Sequence, residues 1–254
     1  MRSGLLLVAA LAVTPLSAAP ASVKEFHKLV PIAEAGRLSL TSHNGSVSVV
    51  AWNRPEVGID ARIEAARDGY AEDVQKTEIR VDGGGGNIDV ESDFSRVTAH
   101  TILFGFGISR VVPLVDYTIH MPATARLRVS VHNASVNVSG LTNGADVETH
   151  NGKVELASVA GEVAVETHNG DINIDFARFS APARIETHNG AAAVRLPADA
   201  RVSLISDTHR RDPVTSDLPL VVRSSGDRWN ATVNGGGPEL HFTAHNGSLR
   251  VTRR

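Results

Sequence analysis

The chain has 254 residues, of which 42% are apolar and 21% charged, so it can bury a hydrophobic core as one long domain or two smaller ones. The formal net charge of −3 excludes the basic surface that DNA or RNA binding requires, and the lack of cysteine excludes disulfide bonds and a lipid-modified N-terminal cysteine. Aromatic residues make up only 4%, which favours thin stacked layers over a large globular core.

The N-terminus predicts export. Arg2 is followed by the apolar run Leu5–Val13 and then by Ala19-Pro20-Ala21, a small-x-small cleavage pattern. The run is shorter than the ~20 residues that a membrane span needs, and no later segment approaches that length. We therefore expect a signal peptide over residues 1–21. The mature protein, beginning near Ser22, is expected to be soluble and periplasmic or secreted, with no membrane span.

Residues 22–125 are predicted to form an N-terminal β region. Alternating apolar and small polar residues from Arg37 to Ala51 predict two strands around a turn at Asn44-Gly45, and Tyr70–Lys76 is expected to hold a short helical turn. The least repetitive stretch, Phe94–Pro113, is interpreted as an insertion that caps one end of the fold, because the ends of a stacked structure must be covered. The alternative is an exposed apolar tongue that contacts a partner or a membrane surface.

From residue 126 onward the sequence repeats. Val-Glu-Thr-His-Asn-Gly at 147–152 returns at 165–170 and, with Ile in the first position, at 185–190, so successive histidines are 18 and 20 residues apart. Shorter copies occur at 43–45, 132–133 and 245–247. A fixed period of this length is typical of stacked β architectures. We predict an all-β fold, a single-stranded parallel β-solenoid of ~18–20-residue coils with Asn-Gly corners over residues 126–254, capped by the N-terminal β region.

Superposing the coils separates inward from outward positions. Three aliphatic columns are predicted to face the core: Val129, Val147, Val165 and Ile185; Val136, Val154, Ile172 and Ala192; Val138, Leu156, Ile174 and Val194. The threonines at 149, 167 and 187 have the same parity as the first column, so their hydroxyls are expected to bond backbone at the corner. The same alternation places six residues outside: Glu148, His150, Glu166, His168, Glu186 and His188.

An antiparallel meander is the alternative, because Asn-Gly is also a strong hairpin signal. That arrangement would place Glu148 opposite Glu155, with like charges facing each other. Near-identity at a fixed period favours the parallel arrangement. Only parallel, in-register coils stack equivalent residues and allow corner asparagines to form a ladder of amide hydrogen bonds.

The six outward Glu and His residues are the candidate metal or pH-responsive site. In-register stacking would repeat each Glu/His pair every ~4.8 Å, which brings carboxylates together that imidazoles could neutralise. Zinc requires ligands that converge at about 2.0 to 2.2 Å, which a flat ladder offers poorly. The favoured interpretation is that the histidines only stack on one another, so neither a metal nor a cofactor is predicted.

For catalysis the only clustered candidates are Asp207, His209, Arg210, Arg211 and Asp212, where a charged loop replaces the expected Asn-Gly corner. Extended β-helices that cleave polysaccharides use such residues on one face. The G-x-S-x-G and H-E-x-x-H motifs are absent from the sequence. We expect a solvated loop and a non-enzymatic protein, with a polysaccharide lyase or hydrolase as the alternative.

Several of these features together resemble one bacterial family, DUF4097. They are the signal peptide, the regularly spaced Asn-Gly turns, Leu-Thr-Ser-His-Asn-Gly-Ser-Val at 40–47 followed by Trp52, and the ending Gly-Gly-Gly-Pro at 235–238 with Asn-Gly-Ser-Leu-Arg-Val at 246–251. The resemblance covers about residues 37–251.

The family is described as "putative adhesins" of β-strand repeats, or toast-rack domains. The resemblance implies a parallel β-solenoid in the cell envelope or outside the cell, and it supplies no catalytic residues. The expected function is a binding scaffold whose repetitive outer faces contact an envelope polymer, a surface or another protein. A histidine before nearly every Asn-Gly departs from the common family pattern.

Overall fold

The computed structural model describes residues 22–67, 70–97, 100–104, 107–208, 214–223 and 229–254. The predicted signal peptide and residues 209–212 of the charged loop lie outside these ranges, as do the side chains of 100–110 within the capping insertion. None of the helical segments in the described part of the chain has the length and apolar character needed to cross a bilayer.

Strands make up most of the described chain, which confirms the all-β prediction. In the N-terminal part they are β1 Val23–Thr41, β2 Asn44–Trp52, β3 Glu56–Glu64, β4 Glu78–Asp93, β5 His100–Phe104, β6 Gly107–Val111 and β7 Leu114–Pro122. They continue as β8 Arg126–Ser139, β9 Ala145–Asn151, β10 Val154–Val159, β11 Val163–Asn169, β12 Ile172–Phe176 and β13 Ala183–Leu196. The last are β14 Val202–Thr208, β15 Val214–Ser216, β16 Leu220–Val222, β17 Trp229–Val233 and β18 Glu239–Arg253. The predicted helical turn is α1, Ala71–Lys76.

The strands of the repeats pair in parallel on two faces. On the first, called the front face, the order of strands is β4, the end of β1, the start of β8, β9, β11 and the starts of β13 and β18. On the second, the back face, the order is β7, β2, the end of β8, β10, β12 and the ends of β13 and β18. β9 pairs with β8 and β11, and Glu148 is level with Glu166, so these strands are not a meander.

The core lies between the two faces. Val129, Val147, Val165 and Ile185 are level with one another on the front face, and each is at most 2% exposed. The two back-face columns predicted from the sequence are also in register and buried. The threonines at 149, 167 and 187 point inward, and the hydroxyl of Thr149 donates to the Ala134 carbonyl at 3.1 Å. Aliphatic burial of this kind is the main source of stability in a chain without disulfides.

Antiparallel strands occur at both ends of the sheet: those at the N-terminal end lie in the predicted capping region, whereas those at the C-terminal end depart from the parallel coils predicted for residues 126–254. At the N-terminal end β3 is antiparallel to β1 and β7, and at the C-terminal end β17 is antiparallel to β14 and β16. No further coil is available to pair with a terminal strand, so a strand that reverses direction through a short connection covers the edge instead. The capping insertion contains a separate antiparallel pair, β5 and β6.

The boundary predicted at residue 126 falls at the start of a strand inside this continuous sheet. β8 begins at Arg126 and pairs with β1 and β2 on one side and with β9 and β10 on the other. The division of the chain into 22–125 and 126–254 stays a prediction from the sequence.

Candidate functional site

The outward glutamates form a column across the front face. Glu148, Glu166 and Glu186, here called the glutamate column, are level on the adjacent strands β9, β11 and β13. Thr243 of β18 follows Glu186, and Asp207 of β14 follows Thr243. The alternation of a strand explains the placement, because each glutamate lies between two buried neighbours on its own strand. The column therefore presents carboxylates at successive strand positions.

The histidines two residues further along each strand form a continuous stack. It contains His43, His132, His150, His168, His188 and His245, which are here called the histidine stack. Neighbouring ring centroids are 4.5 to 4.9 Å apart, and the ring planes differ by only 3 to 7°. In-register pairing fixes this spacing, since it equals the normal separation of strands in a sheet. The sequence predicted His150, His168 and His188 as candidates, and the structure extends the stack at both ends.

The stack has poor geometry for a metal shared between neighbouring rings. Two nitrogens bound to one zinc ion lie at most about 4.2 Å apart, because each Zn–N bond is about 2.0 to 2.1 Å long. Neighbouring rings are stacked face to face with centroids 4.5 Å or more apart, so they lie side by side and do not converge on one point. Within the described ranges, no group of three or more His, Asp or Glu residues is arranged to hold a metal ion. The candidate residues are thus brought together as columns and not as a converging ligand set.

The asparagines next to the histidines form a hydrogen-bonded ladder beside the histidine stack. Each side-chain amide donates from Nδ2 to Oδ1 of the asparagine on the preceding strand of the stack, over 2.8 to 3.0 Å. The members are Asn44, Asn133, Asn151, Asn169, Asn189 and Asn246. Amide ladders of this kind require identical residues in register, and here they fix the position of the neighbouring histidines. The ladder and the stack therefore form a regular, repeating row of side chains.

The electrostatics of the glutamate column are unfavourable at its centre. The pKa of Glu166 is raised, first because the carboxylate is partly desolvated and then because Glu186 and Glu148 place negative charge on both sides. Arg184 acts in the opposite direction, but its guanidinium is engaged by Glu186 at 3.1 Å. On the back face, the pKa of Glu155 is lowered, mainly by a hydrogen bond from Lys153.

These opposite shifts predict opposite pH effects on stability. A raised pKa in the folded state means that Glu166 loses folding free energy when it ionises, so Glu166→Gln should raise Tm at pH 7 and leave it unchanged in acid. Glu155 stabilises the fold when ionised, so Glu155→Gln should lower Tm at pH 7, and the difference should vanish as pH falls. Thermal unfolding of both variants from pH 3 to pH 8 measures this. Shifts of the same sign at pH 7 would contradict the assignment of the two environments.

A shallow groove borders the two columns near the C-terminal end of the front face. Its volume is about 620 Å³, and Glu166, Glu186, His168, His188, His245 and Asp207 contribute to its wall. Asp207 Oδ2 lies 2.8 Å from His241 Nε2, so this carboxylate of the charged loop is engaged by a neighbouring strand. The other members of the loop, His209, Arg210, Arg211 and Asp212, lie outside the described residues. The solvated loop stays a prediction from the sequence, with catalysis as its alternative.

A second, smaller groove lies where the front-face strands begin, and the sequence did not identify it as a site. Its volume is about 210 Å³, and Arg37, Arg126 and Arg128 are among the residues that line it. The sequence contains a signal for this pair, because Arg37 and Arg126 each lie six residues before a histidine of the stack, His43 and His132. Residues at equal distances from in-register histidines are themselves in register, and the structure pairs Arg37 of β1 with Arg126 of β8.

The comparisons with known proteins agree with this architecture. The sequence model of the family Toastrack DUF4097 matches residues 29–209. The chain is similar in structure to a "putative cell adhesion protein" from Clostridium sporogenes ATCC 15579, with a TM-score of 0.52 and 13% identity over 91% of this chain and 100% of that one. A "putative adhesin" from Bacteroides fragilis NCTC 9343 is 12% identical over 92% of this chain and 99% of that one, with a TM-score of 0.47.

No curated protein matches the chain significantly. At 13% identity, the likeness to the Clostridium protein shows a shared fold. The family match covers well over half of the sequence and includes both the first copies of the repeat and its most regular part. The chain therefore belongs to the Toastrack DUF4097 family.

Proposed function

We propose that the protein is a non-enzymatic binding scaffold of the bacterial cell envelope, periplasmic or secreted. In this proposal it is a solenoid of ~18–20-residue coils with Asn-Gly corners that contacts an envelope polymer, a surface or a partner protein through its outer faces. The observation that carries the proposal is the in-register repetition of identical outward side chains, above all the stack of six histidines. A surface that repeats suits a ligand that repeats.

The rigidity of the repeating corner supports binding. The asparagine ladder and the stacked rings hold their side chains in one arrangement before any ligand arrives. Pre-organised side chains lose little conformational entropy on binding, which favours affinity even for a shallow surface. The similar Clostridium protein is named for cell adhesion, and for this chain adhesion is part of the proposal.

Export and binding can be tested on the same material. The full chain would be expressed in a bacterial host with a periplasm, and intact mass would be measured on the exported protein. Cleavage near Ser22 is expected, because Ala19-Pro20-Ala21 fits the cleavage rule. Recovery of uncleaved chain in the membrane fraction would contradict the proposed location.

Binding would then be measured with a glycan array and with sedimentable cell-envelope material. We expect retention of the wild-type protein and clear loss of retention for the front-face variant His150→Gln/His168→Gln/His188→Gln. The control introduces glutamine at three exposed back-face positions, Ser135, Asn137 and Ala157, and should bind as the wild type does. Absence of retention by the wild type, or equal loss in both variants, would contradict a front-face binding scaffold.

A second candidate function, a proton-responsive envelope module, is favoured by one observation. Imidazole rings 4.5 to 4.9 Å apart repeat along the histidine stack, beside the glutamate column two residues away on the strands. Retention by envelope material would be compared at pH 8 and pH 5 for the wild type and for the His→Gln triple variant. An equal pH dependence in the two proteins would contradict this second function. Calorimetric titration with zinc tests the metal alternative.

A further inference from the structure

Two arginines face each other without a counter-ion at the start of the front face. Arg37 of β1 is level with Arg126 of β8, and both side chains are exposed. Among the described residues, neither guanidinium takes part in an ion pair or a hydrogen bond, whereas the nearby Arg128 is paired with Asp146 at 3.3 Å. Like charges directly opposite each other in a sheet are destabilising, and no described carboxylate lies within ion-pair distance of either guanidinium.

The small groove beside the pair has a backbone floor. Across the front face, Gly144 lies next to Arg126 just before β9 begins, and Glu162 lies next to Gly144 just before β11 begins. Gly144 has φ of +106°, and a Cβ there would lie 2.6 Å from the Glu162 carbonyl oxygen, so the position requires glycine. The groove that the arginines, Gly144 and Glu162 line has a volume of about 210 Å³. This space is smaller than the roughly 300 to 1,000 Å³ of drug-sized pockets, which suits one charged group of a longer ligand.

The charges that line the groove are uneven. Glu162 lies on the side of the later strands, while Arg37 and Arg126 lie on the side of the edge strand β4. Because Glu162 repels an anion, the place that favours a single negative group is between the two guanidiniums.

We propose that Arg37 and Arg126 form an anion clamp for a carboxylate, sulfate or phosphate group of an acidic polymer. The planar fork of arginine matches two oxygens of such a group, and two adjacent forks can hold it from both sides. The proposal rests on the proposed function as a polymer-binding scaffold and adds the chemical class of ligand and the place where it is anchored.

Calorimetry with the mature full chain tests the clamp. The probes are oligogalacturonate for carboxylate, dextran sulfate for sulfate, polyphosphate for phosphate, and neutral dextran as the uncharged control. We expect binding of at least one acidic probe, no binding of dextran, and at least tenfold weaker binding by Arg37→Gln/Arg126→Gln. Arg37→Lys/Arg126→Lys, which keeps the charge but loses the fork, should give an intermediate affinity.

The matched control is Arg195→Gln/Arg250→Gln, which removes the same charge from exposed positions on the back face. It should change affinity less than twofold, and the clamp variant should melt no lower than the wild type because it removes a repulsion.

Equal weakening in both double variants, or no binding of any acidic probe, would overturn the clamp. If the clamp variant is still retained by envelope material as the wild type is, the clamp is wrong and the scaffold function stands. Binding of acidic probes by the clamp, without retention of the wild type by envelope material, would support the clamp and contradict the scaffold function.

Discussion

Replacing Val165 with aspartate is expected to destabilise the fold by at least ~3 kcal/mol, because it buries an unpaired carboxylate in an aliphatic column. Val165 is 2% exposed, with Val147 and Ile185 level with it on the neighbouring strands. Ile174→Asp should have a similar effect from the back face, where Ile174 is 1% exposed. Such losses are a large part of the roughly 5–15 kcal/mol by which a domain is usually stable.

The control for this experiment is Glu166→Gln, one position further along the same strand. Its side chain points outward and its pKa is raised, so the substitution should raise the free energy of unfolding slightly at neutral pH. Urea unfolding followed by circular dichroism measures all three variants. Equal losses for Val165→Asp and Glu166→Gln would show that the inward and outward assignment of the front face is wrong.

Replacing Gly170 with alanine should be nearly as harmful, although the change adds a single methyl group. A Cβ at this position would lie 2.0 Å from the carbonyl oxygen of Gly152, which belongs to the backbone of the coil below. Backbone cannot move aside as a flexible side chain can, so the strands must separate and disturb the asparagine ladder. We expect a loss of at least ~2 kcal/mol in the free energy of unfolding, as in other overpacked sites.

Gly86→Ala is the matched control. A Cβ at Gly86 would meet no atom within 4 Å, so alanine should be tolerated there or should stabilise the chain slightly by restricting the unfolded state. The two variants are compared by urea unfolding under identical conditions. A Gly170→Ala protein as stable as Gly86→Ala would contradict the close approach of the backbone at Gly170 to the backbone at Gly152.

The repeat made much of the fold predictable. Strand alternation and a fixed period together assign each residue of a coil to a column, and Thr149 is buried where that parity puts it. The direction of the terminal strands was not predictable in the same way. The alternation in β3 is the same for either direction, and its antiparallel pairing with β7 depends on which strand edge remains open after the coils have stacked.

The histidine stack and the arginine pair also differ in how far the sequence predicts them. The histidine stack follows from in-register repetition, whereas the near-parallel orientation of its rings is seen only in the structure. The arginine pair required knowledge of the topology. Five strands and a helix intervene between β2 and β8, and Arg37 meets Arg126 only because β1 pairs with β8 across this insertion.

In-register parallel stacking of the coils is the claim on which both proposals depend, and disulfide cross-linking tests it most directly. The chain has no cysteine, so pairs can be introduced without background. Glu148 and Glu166 are level on adjacent strands, and a strand separation of about 4.8 Å lies within the range of Cα distances that a disulfide spans. Glu148 and Glu155 lie on different faces. After mild oxidation, mass spectrometry should find an intramolecular disulfide in Glu148→Cys/Glu166→Cys and free thiols in Glu148→Cys/Glu155→Cys. The reverse result would indicate an antiparallel hairpin at Asn151-Gly152 and would contradict the stacked architecture.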